Sequence, residues 1–381
     1  MSTANTISVQ RRKRDLGQFF TPPPVAEFMA GLFDSVPETV RLLDPGAGAG
    51  ALTRAMISRL CAMKGPPKRV EVSAFEIDTT VLPDLRATLE RCGELCADTG
   101  IGFESTVYEE DFVAWGASAS RADLFSIAAC PFTTVIMNPP YRKIRSDSHT
   151  RWQLRSAGLE TSNLYSGFLA LAASLLGEDG ELVAITPRSF CNGPYFRPFR
   201  ERFLDNLSLL RIHVFESRAA AFRSDGVLQE NVILHGRKGA RQDSVIISSS
   251  DGKTFASLCE HRSRYEEVVA PDDPQQFIHI VADEAQRNVR ERISQLTGTL
   301  AHLGLSVSTG RVVDFRAKEF LSRDPGPNTV PLIYPCHFQD GSVGWPKPSS
   351  RKPNAIVEAE ATRGILVPNV MYVLVKRFSA K

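Results

Sequence analysis

Thr133-Thr134-Val135-Ile136-Met137-Asn138-Pro139-Pro140-Tyr141 is the stretch that organises the 381-residue chain. Thr133 to Met137 is β-branched and apolar, long enough for a strand and too short for a helix with a face to bury. Cys130-Pro131 bounds it upstream and Pro139-Pro140 downstream, so it reads as a buried parallel strand that stops abruptly in a loop. The carboxyl ends of strands are where open α/β sheets bind ligands. Two successive prolines fix φ and remove two N–H donors, leaving the Asn138 side chain and the neighbouring carbonyls as rigid, outward-facing acceptors. Followed by the Tyr141 ring, such an acceptor pair suits a planar substrate bearing an amino group. Taken alone, the tetrapeptide reads equally well as a Pro-rich turn after a strand.

Upstream, Val40-Arg41-Leu42-Leu43-Asp44 predicts a first strand that runs into Gly46, Gly48 and Gly50 and then a helix from about Ala51 to Met63. Glycines there let backbone amides approach a ligand, and a helix N-terminus adds a positive field end. The spacing is not that of a dehydrogenase fingerprint, because the third glycine comes too early. Asp44 would repel a pyrophosphate and attract a cation. Arg69 to Phe75 predicts a second strand ending at Glu76-Ile77, where an acid can accept from a ribose diol. Phe103 to Tyr108 predicts a third, leading to Asp111-Phe112, where the acid could accept from an adenine amino group and the ring could pack on the base. Each acid alone reads as a solvated loop carboxylate. Three acids at three strand ends, with Asn138 after the fourth, form a constellation. Further upstream, Phe20-Thr21-Pro22-Pro23-Pro24 leads into a helix with Val25, Phe28, Met29 and Leu32 at helical spacing, and Thr21 is its expected cap.

With these motifs in place, the chain resembles the γ-type S-adenosylmethionine-dependent adenine-N6 DNA methyltransferases of restriction-modification systems, over roughly residues 15–240. The resemblance implies a Rossmann-like methyltransferase fold, a mostly parallel seven-stranded sheet, with a C-terminal target-recognition region. It places Phe20, Thr21 and Pro22 at the methionine end of S-adenosyl-L-methionine, and Asp44, Gly46 and Gly48 around the methionine and sulfonium. Glu76 and Ile77 fall at the ribose and adenine, Asp111 and Phe112 in the adenine pocket. Asn138, Pro139 and Tyr141 fall in the catalytic motif, with Asn138 also bordering the donor. Phe222, in the polar loop Ala221-Phe222-Arg223-Ser224-Asp225-Gly226-Val227, matches the aromatic that stacks on a flipped base; folding back on the core is its equal alternative. Double-stranded DNA is the implied partner, a cognate restriction endonuclease a candidate one, and a monomer the expected state. RNA adenine methylation, protein-glutamine methylation and a non-catalytic cofactor- or DNA-binding subunit are the alternatives.

Downstream, Asn163 to Leu176 predicts a helix, Glu181 to Pro187 a fifth strand, and Arg211 to Phe215 and Asn231 to His235 two later ones. A shift to Gly, Ser, Lys and Arg over residues 236–275 predicts a boundary. The expected organisation is an arm at 1–14, a catalytic domain at 15–245 and a target-recognition region at 246–381. Within the last, a helix is expected near Ala285–Leu296, and Val307 to Arg311 resembles the start of recognition regions. Arg142, Lys143 and Arg145 are candidates for phosphate contacts, with a solvated loop as the plain reading, and Arg311 and Arg316 for base readout. The chain ends just after an alternating, strand-like run, which predicts a longer parent protein.

The formal net charge of +2 is nearly neutral, so a nucleic-acid partner would need local basic patches. Cys61, Cys92, Cys96, Cys130, Cys191, Cys259 and Cys336 show no zinc spacing, so no metal site is expected, and free thiols fit a reducing cytoplasm. No apolar stretch of membrane-spanning length and no signal-type N-terminus is present, which points to a cytoplasmic protein.

Overall fold

The computed structural model describes residues 21–120, 131–215, 230–252, 255, 258–282 and 284–376. Two compact units divide the chain, Met1–Glu291 and Arg292–Lys381.

The first unit is built on a nine-stranded sheet in the order β3-β2-β1-β4-β5-β7-β6-β8-β9. Its strands are β1 (Thr39–Pro45), β2 (Arg69–Phe75), β3 (Gly102–Tyr108), β4 (Phe132–Met137), β5 (Leu176–Pro187), β6 (Ser208–Phe215), β7 (Asn231–Arg237), β8 (Ser244–Ser250) and β9 (Cys259–Arg264). β1 to β5 pair in parallel, and β7 runs antiparallel between β5 and β6. These are the seven strands expected. β8, parallel to β6, and antiparallel β9 extend the edge beyond them.

Helices cover both faces, as parallel strands require. α1 (Pro23–Gly31), α2 (Ala51–Ala62) and α3 (Leu82–Asp98) bury their apolar stripes against Val40, Leu42, Val70 and Ile136. The opposite face packs Leu43, Val135 and Met137 against α4 (Phe112–Ala119), α6 (Leu164–Leu175) and α7 (Arg197–Asn206). Val135 and Met137 thus point to one core and Ile136 to the other, which is why the strand reads as a continuous apolar run rather than an alternation. α6 is apolar on every side and buried along nearly its whole length. A further helix, α5 (His149–Ser156), lies between β4 and α6 in sequence, in an excursion closed by an Ile144 N–H to Ser162 O bond of 2.8 Å.

The sequence boundary at 245 does not coincide with the division at 291. β8 and β9 continue the sheet past it, and residues beyond β9 remain packed: buried Arg200 donates from Nη1 to the carbonyls of Phe190 and Gly193, at 2.8 Å each. Its Nε and Nη2 donate to Gln275 O, 2.9 and 2.7 Å away. The predicted helix near 285–296 is observed as Glu284–Ser294.

The second unit carries a small three-stranded sheet, with Ala355–Val357 between Leu321–Ser322 and Thr329–Pro331, and a short hairpin of Phe338–Gln339 with Ser342–Val343. Its buried apolar core is Ala317, Leu332 and Ile356. Beside it, buried His337 bonds Asn354 Oδ1 through Nε2 at 2.8 Å and accepts from the Tyr334 N–H through Nδ1 at 2.9 Å. Val307 to Arg311 and the alternating run before Leu374 form no helix or strand here.

Candidate functional site

The sheet order reverses direction between β1 and β4, the switch point at which doubly wound sheets open a crevice outside the strand carboxyl ends. A cleft of about 1060 Å³, open mouth included, lies there. Thr21, Gly46, Gly48, Glu76, Ile77, Asp111, Phe112 and Asn138, all expected from the sequence, line it together.

The loop from β1 to α2 turns by means of three glycines at positive φ: Gly46 (83°), Gly48 (57°) and Gly50 (81°). Its amides, expected to reach a ligand, are largely consumed inside the protein. Gly46 and Ala47 both donate to Phe75 O at 2.9 Å, Gly48 donates to Glu76 Oε2 at 2.8 Å, and Gly50 donates to Ala47 O at 2.9 Å. Donors that would cradle a phosphate are therefore already spoken for. Glu76 accepts a second amide, from Asp78, through Oε1 at 2.7 Å. Burial nonetheless holds the Glu76 carboxyl above its usual value, the amide bonds acting against it.

Asp44 is fully buried and is not among the cleft-lining residues. Its Oδ2 accepts from Thr53 Oγ1 at 2.7 Å, and its Oδ1 has no hydrogen-bond partner. Burial pushes its carboxyl up to about 7; the Thr53 bond lowers it and the neighbouring Glu76 charge raises it further. Asp44, expected at the loop edge facing a cation, is thus buried and is not among the residues that line the cleft.

Asp111 caps α4, its Oδ1 accepting from the Val113 N–H at 2.8 Å, which accounts for its position at the cleft edge. Phe112 is buried between Phe75 and Phe168, ring centroids 5.3 and 5.1 Å away. A Cβ placed on Gly46 would sit 3.8 Å from Phe168 and 4.0 Å from Pro140, so the glycine loop, α6 and the segment after β4 converge at one point.

Asn138 follows β4 directly, and its Nδ2 donates to Thr21 Oγ1 at 3.1 Å. Thr21 does not cap α1, as the sequence suggested. Pro22 is the N-cap, with no side-chain cap bond, and its carbonyl accepts from Ala26. Pro22 and Pro139 do not line the cleft. Nor does Tyr141, whose hydroxyl donates to Ile185 O at 3.1 Å and whose ring stands edge-on to Tyr165 at 6.4 Å. Phe20 and Phe222 lie outside the described residues.

The sequence reading missed Leu164 and Phe168 as cleft walls, having placed them only within the helix predicted over Asn163 to Leu176. It also missed Thr150 and Val81. Arg142, a phosphate-contact candidate in the sequence, is the one basic residue among the described residues lining the cleft, against Glu76, Glu110 and Asp111. The described lining is net acidic, which suits a cationic ligand and disfavours a pyrophosphate.

Away from the cleft, ligand atoms of Asp34, Glu181 and His235 lie within 4.8 Å of one another. Glu181 already accepts from Arg237, from His235 at 3.1 Å and from the amides of Asp34 and Ser35 at 2.9 and 3.2 Å. The Glu181 carboxylate is thus already engaged by a guanidinium, an imidazole and two amides. Among the described residues no helix is long and apolar enough to cross a membrane.

Comparison with known proteins adds a lineage to this geometry. Residues 87–222 match the family described as Eco57I restriction-modification methylase. The chain is 40% identical over 379 residues to the type II methyltransferase M.PstI of Providencia stuartii, spanning 99% of this chain and 74% of that protein. It is 44% identical over 375 residues to the type II methyltransferase M.BsuBI of Bacillus subtilis, spanning 97% and 73%. Among solved structures, a modification subunit assigned to a type I restriction enzyme of Vibrio vulnificus YJ016 superposes with a TM-score of 0.55 at 15% identity, over 76% of this chain and 64% of that one.

Proposed function

The chain belongs to the type II methyltransferases of restriction-modification systems, and from that premise we propose that it methylates the N6 amino group of an adenine extruded from double-stranded DNA. S-adenosyl-L-methionine is the methyl donor. The residues present fit it: an acidic cleft suits its cationic sulfonium, and a glycine loop with its amides engaged makes no demand for phosphate. Glu76 would hold the ribose hydroxyls, Ile77, Asp111 and Phe112 the adenine, and Thr21, Gly46 and Gly48 the methionine end. When bound, the donor supplies a methyl group on a good leaving group, so the demanding part of the reaction falls on the acceptor nitrogen.

An adenine amino group delocalises its lone pair into the ring and is a poor nucleophile. Asn138 Oδ1 and the Pro139 carbonyl would each accept one of its N–H bonds, drawing the nitrogen toward tetrahedral geometry with its lone pair aimed along the transfer direction. The catalytic contribution is positioning and preorganised acceptors; no residue is assigned as a general base, and the proton released from the nitrogen would leave to water after methyl transfer. The Tyr141 ring, held from behind by its hydroxyl bond to β5, and Phe222 would flank the extruded base. The second unit would read the target sequence, alongside a cognate restriction endonuclease that cuts what this chain leaves unmethylated.

The observation that carries this reading is the placement of Asn138 at the carboxyl end of β4, in one cleft with acids from the ends of β2 and β3. To test it, the protein is incubated with tritium-labelled S-adenosylmethionine and unmethylated duplex DNA, RNA or protein in parallel, followed by nucleoside analysis. Label in N6-methyldeoxyadenosine is expected; label in methylcytosine, RNA or protein would replace the reading. Asn138→Ala is expected to abolish transfer while donor affinity stays within threefold of the parent.

A further inference from the structure

The geometry points to the outward face of α5 as the docking surface for the DNA duplex that flanks the extruded base. The Trp152 ring packs on its sugars and base edges, and Arg155 meets a phosphate. This rests on DNA being the substrate proposed above. Along α5, side chains three or four positions apart share a face. Thr150, Gln153 and Leu154 form one: Thr150 lines the cleft, and Gln153 and Leu154 are buried. His149, Trp152 and Arg155 form the other, and all three are exposed.

The helix is anchored from its inner side. Ser148 caps it by accepting from the Arg151 N–H at 3.3 Å, and Leu154 packs so closely on α6 that a Cβ on Gly167 would stand 2.9 Å from it. The Arg151 guanidinium is tied to Glu160 and to the Thr161 carbonyl. None of this uses the outer stripe. Trp152 is 60% exposed, with the His149 ring stacked on it, centroids 5.8 Å apart and planes 25° from parallel. Stacked rings beside a guanidinium combine apolar area for sugars and bases with a charge for phosphate.

Charge decides which partner sits there. Residues 141–160 carry five Arg and Lys against two Asp and Glu, a net +3 in a chain whose whole formal charge is +2. Arg151 and Arg155 share one carboxylate, Glu160, so the helix keeps a positive end. The described cleft lining is net acidic and repels a polyanion, which leaves the adjoining basic excursion to hold the duplex while one base enters. Contacts of this kind position a duplex without selecting its sequence.

For the test, the full-length chain is titrated with unmethylated linear duplex DNA, and acrylamide quenching of tryptophan fluorescence is read with and without it. Trp115 and Trp345 are only partly exposed, and the Trp152→Phe protein subtracts their signal. DNA is expected to lower the Trp152 quenching constant at least threefold. Trp152→Ala is expected to weaken DNA binding by about fivefold or more with its salt dependence unchanged. Arg155→Gln is expected to weaken it while lowering the slope of log K against log salt by about one. Donor Kd stays within twofold of the parent in both, and a merely structural role would not separate the two variants by salt slope. Unchanged quenching in the DNA complex, DNA affinity within twofold of the parent in either variant, or equal protection of Trp152 by RNA or by raised protein concentration alone overturns the proposal. A parent protein that neither binds nor methylates DNA removes the reading on which this one rests, whereas one that methylates DNA with Trp152 still open to acrylamide removes only the role of α5.

Discussion

Asp44 sits fully buried under the glycine loop with one carboxylate oxygen lacking any partner. Its carboxyl is raised from 3.8 to about 7, chiefly by burial. A carboxyl whose pKa is higher folded than unfolded holds its proton more tightly in the folded state. Its contribution to stability is complete below about pH 4 and is lost as the pH rises through about 7, a total of roughly 4 kcal/mol for a shift of this size. The ligand-free protein is therefore expected to lose stability between about pH 4 and 7, and Asp44→Asn to remove most of that slope while keeping an acceptor for Thr53. Urea unfolding midpoints across that range check this; an unchanged slope in the variant would assign it to other groups, Glu76 foremost, whose shift has the same sign. Asp44, Glu76 and Asp111 could be found in the sequence because an acid at a strand's carboxyl end needs only periodicity to locate it. Which of them face the cleft could not be found there, because that depends on loop depth. Thr21 was misread for a similar reason: cap rules are local, and its partner Asn138 lies 117 residues away, after a strand that had first to take its place in the sheet.

At the scale of elements, the β1 to α2 connection carries the most information per residue. Gly46 and Gly50 share nearly the same φ, 83° and 81°, yet stand in different surroundings. A Cβ on Gly50 would meet Thr88 at 3.0 Å and Leu85 at 3.1 Å on α3, whereas one on Gly46 has ordinary contacts of 3.8 and 4.0 Å. Both alanine substitutions incur the left-handed backbone cost of about 1 kcal/mol, and only the one at Gly50 adds overpacking against α3. Gly50→Ala is thus expected to be destabilised by about 2 kcal/mol or more and Gly46→Ala by about 1; equal unfolding midpoints would show that α3 gives way freely. The strand-loop-helix order was legible because glycine spacing and the flanking apolar runs agree. β8 was not, because its Ser-rich run imitates a linker. Ser248 and Ser250 in fact bond the two ring nitrogens of buried His213, each at 3.0 Å, so the hydroxyls belong to the interior of the sheet. Burial leaves that imidazole down at about 4, neutral between its two hydroxyl partners.

For the molecule as a whole, the consequence of β8 and β9 is where the chain divides. Composition placed the catalytic domain's end at 245, but two sheet-edge strands and the Arg200 clamp on Gln275 keep the following residues in the first unit, up to Glu291. Among the described residues, every one lining the cleft lies between Thr21 and Phe168, and the nine strands end at Arg264. The first unit therefore holds all of the described cleft lining and both faces of its core, while the second holds a small sheet around Ala317, Leu332 and Ile356. Residues 1–291 made alone are expected to fold cooperatively and to bind S-adenosylmethionine within threefold of the full chain. With a net acidic cleft, that fragment is expected to lose protection of DNA against restriction, because contacts that select a target would have gone with residues 292–381. Calorimetric titration with the donor and a digest-protection assay read the two halves of this prediction separately. Donor binding lost with the second unit would show that the cleft needs residues beyond 291, and DNA protection retained by the fragment would place target recognition inside the first unit.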